Sequence, residues 1–146
     1  MIEIDRLSAE VVDAAIRIHR ELGPGLLESV YEVVLAASLI RSGWKVDRQR
    51  PIDISYDGLE IACAFRADLI IEDRLVVEIK SVDQLSRLHG KQLLTYLRLL
   101  HQPVGLLLNF GGETMKEGIR RIVNGYQPAE GRSASPRLRV KSEYGD

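Results

Sequence analysis

The sequence predicts an α/β sandwich, a mostly antiparallel central sheet flanked by helices. Two observations carry this. The apolar period is helical over residues 8–42, shifts to alternation between Lys45 and Lys80, and becomes helical again after Asp83. Strands clustered between helices, rather than alternating with them one by one, build a layered sandwich and not a repeated strand–helix–strand unit. The chain has 146 residues, of which 45% are hydrophobic and 28% charged. One domain of that size buries a sufficient core without covalent staples. A single cysteine excludes a disulfide framework and a thiolate zinc site, and Cys63 is expected as a buried small hydrophobe. The acidic start MIEIDRLSAEV and the absence of a long apolar run predict a cytoplasmic protein with no membrane segment.

The elements follow in order. Ser8 can cap a first helix to about Leu22, with Val11, Val12, Ala15, Ile16 and Ile18 as its buried stripe. Gly23-Pro24-Gly25 stops it and lacks the Lys-Ser/Thr of a phosphate loop. A second helix runs from about Leu26 to Ser42, ended by Gly43 in a left-handed cap. Lys45–Arg48 is a short strand. Ile52–Tyr56 and Leu59–Phe65 flank Asp57-Gly58, a strong hairpin signal, which puts Ile52, Ile54, Tyr56, Leu59, Ile61 and Cys63 on one face. A second pair, Arg66–Ile71 and Leu75–Lys80, surrounds Glu72-Asp73-Arg74, and Leu59–Ile71 reads as one bent strand or as two. A third helix spans about Asp83 to Leu100, its wet stripe formed by Arg87, Lys91, Thr95 and Arg98. Pro103 fits the start of a buried strand, Val104–Phe110. Residues 113–123 are either a helix interrupted by Gly118 or a turn before a strand at Ile119–Val123. The domain is expected over residues 1–125, with 126–146 as a flexible basic tail.

Twenty basic against 21 acidic residues give a net charge of -1, so no global field attracts nucleic acid. Local basic clusters at residues 41–50 and Arg132–Lys141 read as solvated surface, and one Trp, five Tyr and two Phe are too few for a base-stacking platform.

The chemistry lies in Arg66–Lys80. With the three-residue loop Glu72–Arg74, Ile71 faces Leu75 and Asp68 lands opposite Glu78 on the same face. Lys80, two residues past Glu78, shares that face. The other face, Ala67, Leu69, Ile71, Leu75, Val77 and Ile79, is apolar and must be core. Opposed carboxylates repel unless something neutralises them, and two carboxylates plus waters are the usual protein share of a magnesium site. A lysine beside them can orient water and offset charge on a phosphate. The plain structural alternative is a surface ladder in which Lys80 pairs with Glu78.

Asp68 followed by Glu78-Ile79-Lys80 resembles the D-x(n)-E-x-K core of the PD-(D/E)XK nuclease superfamily. Gly25-Leu-Leu-Glu28-Ser-Val-Tyr31 is similar to the signature of its GxxExxY family, and Gln92-Leu-Leu-Thr-Tyr96 resembles the Q-x-x-x-Y element of RecB-like nucleases. Leu108-Asn109-Phe110-Gly111 looks like the family's usual close. Ala67 stands where the superfamily name has proline, a departure common in this family. The resemblance implies a restriction-endonuclease-like fold and metal-dependent hydrolysis of nucleic acid, DNA above all. It implies Mg²⁺ or Mn²⁺ held by Asp68, Glu78, the Ile79 carbonyl and Glu28, with Lys80 activating the attacking water. Gln92 joins the catalytic set, and Tyr31, His89 and Tyr96 are candidate substrate contacts. A homodimer would enlarge the binding surface. The competing expectation is a catalytically silent nucleic-acid-binding or protein-interaction module on the same fold.

Overall fold

The change of apolar period produces the expected layers. A computed structural model describes residues 2–126 as α1 (Ile4–Leu22), α2 (Glu28–Arg41), β1 (Val46–Tyr56), β2 (Leu59–Ile71), β3 (Leu75–Lys80), α3 (Arg87–Leu100), β4 (Val104–Asn109) and β5 (Ile119–Val123). The strands form one sheet in the order β1-β2-β3-β4-β5. Every pair is antiparallel except β3–β4, and that parallel pair needs the crossover that α3 supplies. The tail expected from 126 onward lies outside the described residues except for Tyr126, whose hydroxyl donates to Asp5 Oδ2 at 3.1 Å. No described helix is long and apolar enough to cross a membrane.

The two faces of the sheet carry separate cores. Leu69, Ile71, Leu75, Val77, Ile79, Leu106 and Leu108 pack with Leu7, Val11, Tyr31, Leu35 and Leu39 of α1 and α2. Ile70, Val76, Leu107 and Ile122 pack with Leu93, Leu94 and Leu97 of α3. Each fully buried aliphatic side chain contributes about 1.5–3 kcal/mol. β3 and β4 are covered on both sides, which is why they read as unbroken apolar runs.

Several boundaries differ from expectation, each for a physical reason. α1 starts at Ile4, with Glu3 in the cap position, and Ser8 lies buried inside the helix. The apolar stripe of Ile4, Leu7 and Val11 sets that start, and it overrides the weaker signal of a capping serine. α3 begins at Arg87 rather than Asp83, because Ser86 and His89 form a reciprocal cap there. Lys45–Arg48 and Ile52–Tyr56 merge into β1 across Pro51, which the ladder tolerates because β1 is an edge strand. Leu59–Ile71 is one strand, and residues 116–118 form a short 3₁₀ turn before β5.

The first hairpin breaks its simple register. Ile54 faces Ile61 but Ile52 faces Phe65, so β2 bulges at Cys63. Cys63 adopts φ +52°, is exposed rather than buried, and donates its N–H to Asp53 Oδ1 at 2.8 Å. The shared apolar face expected through Cys63 therefore ends at the bulge.

A second irregularity shapes the site. Gln49 has φ +52°, and the β1–β2 pairing passes from Arg48–Leu69 to Arg50–Ala67 without pairing Gln49 with Asp68. Val46 and Leu69 face α1 and α2, whereas Ile52 and Ala67 join the α3 side. Both strands change face at this point. Ala67 thus leaves the apolar face assigned to it with Leu69 and Ile71, because strict alternation fails where the β1–β2 pairing skips Gln49 and Asp68.

Candidate active site

The site is built at a fork in the sheet. β2 pairs with β3 only through Leu69–Val77 and then continues along β1 alone. Beyond that point side chains replace the backbone ladder. Asp68 N–H donates to Glu78 Oε2 at 2.9 Å, and Ile79 N–H donates to Asp68 Oδ2 at 2.9 Å. Each acid thus accepts from the opposing strand, and the two carboxylates are held side by side.

Glu78 is 8% exposed. Burial, reinforced by the negative charge of Asp68, pushes its carboxyl up to about 8 against the pull of the Asp68 N–H bond and Lys80. Lys80 is half-buried at the end of β3, where its carbonyl accepts from Phe110 N–H at 2.8 Å. Among the described residues no carboxylate lies within 4.0 Å of its ammonium, so the pairing with Glu78 of a surface ladder is not formed.

The second helix adds an acid that sequence reasoning passed over. Glu32 is 5% exposed, accepts from Arg48 Nε at 3.1 Å and from Gln49 Nε2 at 2.7 Å, and helps to raise the Glu78 carboxyl. The same Gln49 nitrogen donates to Asp68 Oδ1 at 3.0 Å. The available signal was an acid one helical turn beyond Glu28 in a helix that carries no other acid. Glu28 itself is exposed and accepts from Ser81 N–H at 3.3 Å, beside Lys80.

The remaining candidates divide. Tyr31 is fully buried, so the substrate contact expected of it is not available. Its hydroxyl donates to Gly23 O at 2.6 Å and accepts from Leu26 N–H at 3.1 Å, and its ring stacks on Phe110 at 4.4 Å. It fastens the α1–α2 loop. Tyr96 stacks on Phe65 at 3.9 Å and feels the site: burial and then the charges of Glu78 and Asp68 push its phenol up. Gln92 is exposed on the same helix. His89 spends Nδ1 on the Ser86 N–H at 3.0 Å, capping α3.

The segment after Lys80 is clamped by the end of β4. Asn109 Oδ1 accepts from Val82 N–H at 2.9 Å and Gly111 N–H at 3.1 Å, while its Nδ2 donates to Val82 O at 2.9 Å. Gly111 is required by close approach, since a Cβ there would lie 2.2 Å from the Val82 carbonyl oxygen. Gly111→Ala is therefore expected to displace Ser81–Val82, to cost about 1–3 kcal/mol in urea denaturation, and to disturb Lys80 with it. Unchanged stability and activity would show that this loop gives way freely.

The chain is thus an α/β protein with a mixed sheet between helical layers and two acids and a lysine where β2 and β3 part. The model of the PD-(D/E)XK nuclease superfamily matches residues 5–122, and the chain belongs to that superfamily. Its architecture is the restriction-endonuclease-like fold. Searches of curated proteins and of solved structures return no match.

Members of this superfamily generally use divalent metal ions, and the donor set fits such an ion. Asp68 and Glu78 offer carboxylate oxygens only, which suits a hard cation. Glu78 is held above its ordinary range by burial beside another acid, a cost that a cation would relieve. Among the described residues no three acids, histidines or cysteines form a ready-made metal cage. A cation bound here would take carboxylate oxygens from the protein and complete its shell with other oxygen donors, water included, as magnesium commonly does.

Proposed function

We propose that the protein is a divalent-metal-dependent nuclease that hydrolyses phosphodiester bonds, with DNA as its substrate. The observation that carries this is the buried Glu78 held against Asp68, with the charge of Lys80 acting on it and no carboxylate among the described residues within 4.0 Å of that ammonium. Such a pair costs stability on its own and gains sense from a positively charged ligand.

Asp68 and Glu78 would hold Mg²⁺ or Mn²⁺, with the Ile79 carbonyl and, through water, Glu28 as further donors. When bound, the ion supplies positive charge to the phosphate and acidifies water. Lys80 orients the attacking water and stabilises the charge that grows on phosphorus-bound oxygen. Gln92 and Tyr96 contact the substrate from α3. That helix carries Arg87, Lys91 and Arg98 and no acid, a face suited to a phosphate backbone.

We place the chain in the GxxExxY branch because its three named positions act as one unit. Gly25 adopts φ +103°, Tyr31 ties down the loop that contains it, and Glu28 bonds Ser81 next to Lys80. Work in the cytoplasm and pairing into a homodimer belong to the same proposal, and sedimentation of the purified protein tests the second.

The direct test is incubation of labelled single- and double-stranded DNA and RNA with the protein in Mg²⁺, Mn²⁺ or EDTA. DNA cutting that requires the metal is expected. Cutting that persists in EDTA, or no cutting with either metal, would overturn the proposal, and cutting of RNA alone would correct the substrate.

A further inference from the structure

We propose that Gln49 is a positioning residue whose amide, carried on a left-handed strand position, holds Asp68 ready to receive the cation. The inference rests on the nuclease proposal above and extends it to a residue outside the acid–lysine set.

One side chain bridges two layers here. Gln49 Nε2 donates to Glu32 Oε1 on α2 at 2.7 Å and to Asp68 Oδ1 on β2 at 3.0 Å. A primary amide nitrogen has two hydrogens, and both are spent on carboxylates. Glu32 is itself held at its other oxygen by Arg48 Nε at 3.1 Å. Asp68 is fixed from both sides, since Ile79 N–H takes Oδ2 at 2.9 Å. The plane of the Asp68 carboxylate is therefore set by Gln49 on one side and by the β3 backbone on the other.

The backbone supports the same conclusion. A left-handed φ of +52° is uncommon for a residue with a long side chain. Such a conformation is strained and persists only where the surroundings enforce it. At Gln49 it changes the face of β1, sending Arg48 toward α2 and Ile52 toward α3, and leaves the Gln49 side chain between Glu32 and Asp68. A glycine or asparagine would adopt this backbone more easily. Glutamine adds the reach to span two acids.

The test separates backbone from amide. Gln49→Gly keeps the left-handed turn and removes the amide, and Gln49→Asn keeps an amide one methylene too short for both acceptors. Each variant, as the full chain, is titrated with Mn²⁺ by calorimetry beside wild type, with thermal unfolding of the metal-free proteins. Removing a partner that orients a ligating group commonly costs 10–100-fold in metal affinity. We expect an Mn²⁺ Kd raised by about that factor in both variants, with cooperative unfolding retained and both variants folded at the titration temperature. Equal Mn²⁺ affinity in all three proteins would overturn the inference alone. Affinity lost only together with folding would make Gln49 a fold element and overturn it too. A wild type that binds no Mn²⁺ would remove the nuclease proposal and this inference together. In a cleavage assay the variants should lower kcat at near-constant KM for nucleic acid, since Gln49 orients Asp68 and does not grip the substrate.

Discussion

Lys80→Ala is expected to slow phosphodiester cleavage by about 10²–10⁴-fold while leaving Mn²⁺ binding and folding nearly intact. The magnitude follows from removing a positioned charge at the reacting phosphate. The selectivity follows from the structure. Lys80 has no carboxylate within 4.0 Å among the described residues, so its loss strands no buried ion-pair partner. Its side chain is half-buried at a strand end, where truncation leaves little cavity. Its charge pulls the Glu78 carboxyl down, but burial and the charge of Asp68 push it up more strongly. Lys80→Arg refines the test. A guanidinium restores positive charge but does not give up a proton. Rescue by arginine would assign Lys80 an electrostatic part, and failure of rescue would assign it handling of the water's proton. Cleavage that survives Lys80→Ala at wild-type rate would place the reaction elsewhere. A silent binding module on the same fold would be indifferent to the change.

Glu78→Gln is expected to stabilise the metal-free protein at alkaline pH. In the folded chain the Glu78 carboxyl titrates at about 8, pushed there by burial and by Asp68, against an ordinary value of 4.5. Between those values the folded state holds a proton that the unfolded state has released. Stability must then fall as pH rises through that window, by at most about 1.4 kcal/mol per pH unit. Glutamine never ionises, and its carbonyl oxygen can still accept the Asp68 N–H. The variant should show a flat profile from pH 5 to 9 and exceed wild type above pH 8 by an amount on the order of a few kcal/mol. Urea denaturation in EDTA reads this directly. Mn²⁺ added at pH 8 should restore wild type by binding the folded state and should do far less for the variant. A wild-type profile as flat as that of the variant would mean that Glu78 ionises freely in the fold. It would remove the electrostatic reason for a cation at this site.

The parts legible in the sequence were those governed by local rules. The three-residue loop Glu72–Arg74 sets the register of β2 and β3, and the structure pairs Ile71 with Leu75 and Leu69 with Val77 accordingly. Gly43 ends α2 with φ +95°, as a left-handed glycine cap does. Asn109-Phe110-Gly111 is recognisable as a motif, although its reason, a clamp on Val82 and a ring against Tyr31, belongs to the folded state. The two misplaced strand residues both lie at breaks in the β1–β2 pairing. Strict alternation misplaces Cys63, which turns left-handed at the bulge, and Ala67, which adjoins the point where the β1–β2 pairing skips Gln49 and Asp68. Tyr31 holds a motif position that could equally bind substrate or fasten a loop, and only its burial decides.

The sequence alone therefore determined the fold class and the register of the β2–β3 hairpin from Ile71–Leu75 to Leu69–Val77. Period and loop length are properties of neighbouring residues, so they are readable without the fold. The tertiary structure decided the rest. Glu32 and Gln49 lie 17 residues apart and Gln49 and Asp68 lie 19 apart, and no local spacing announces that one amide joins the three. The raised carboxyl of Glu78 likewise arises because helices and strands close over it and exclude water. Solvent exclusion is a property of the whole packed molecule, and it gives an acid of ordinary sequence an unusual charge.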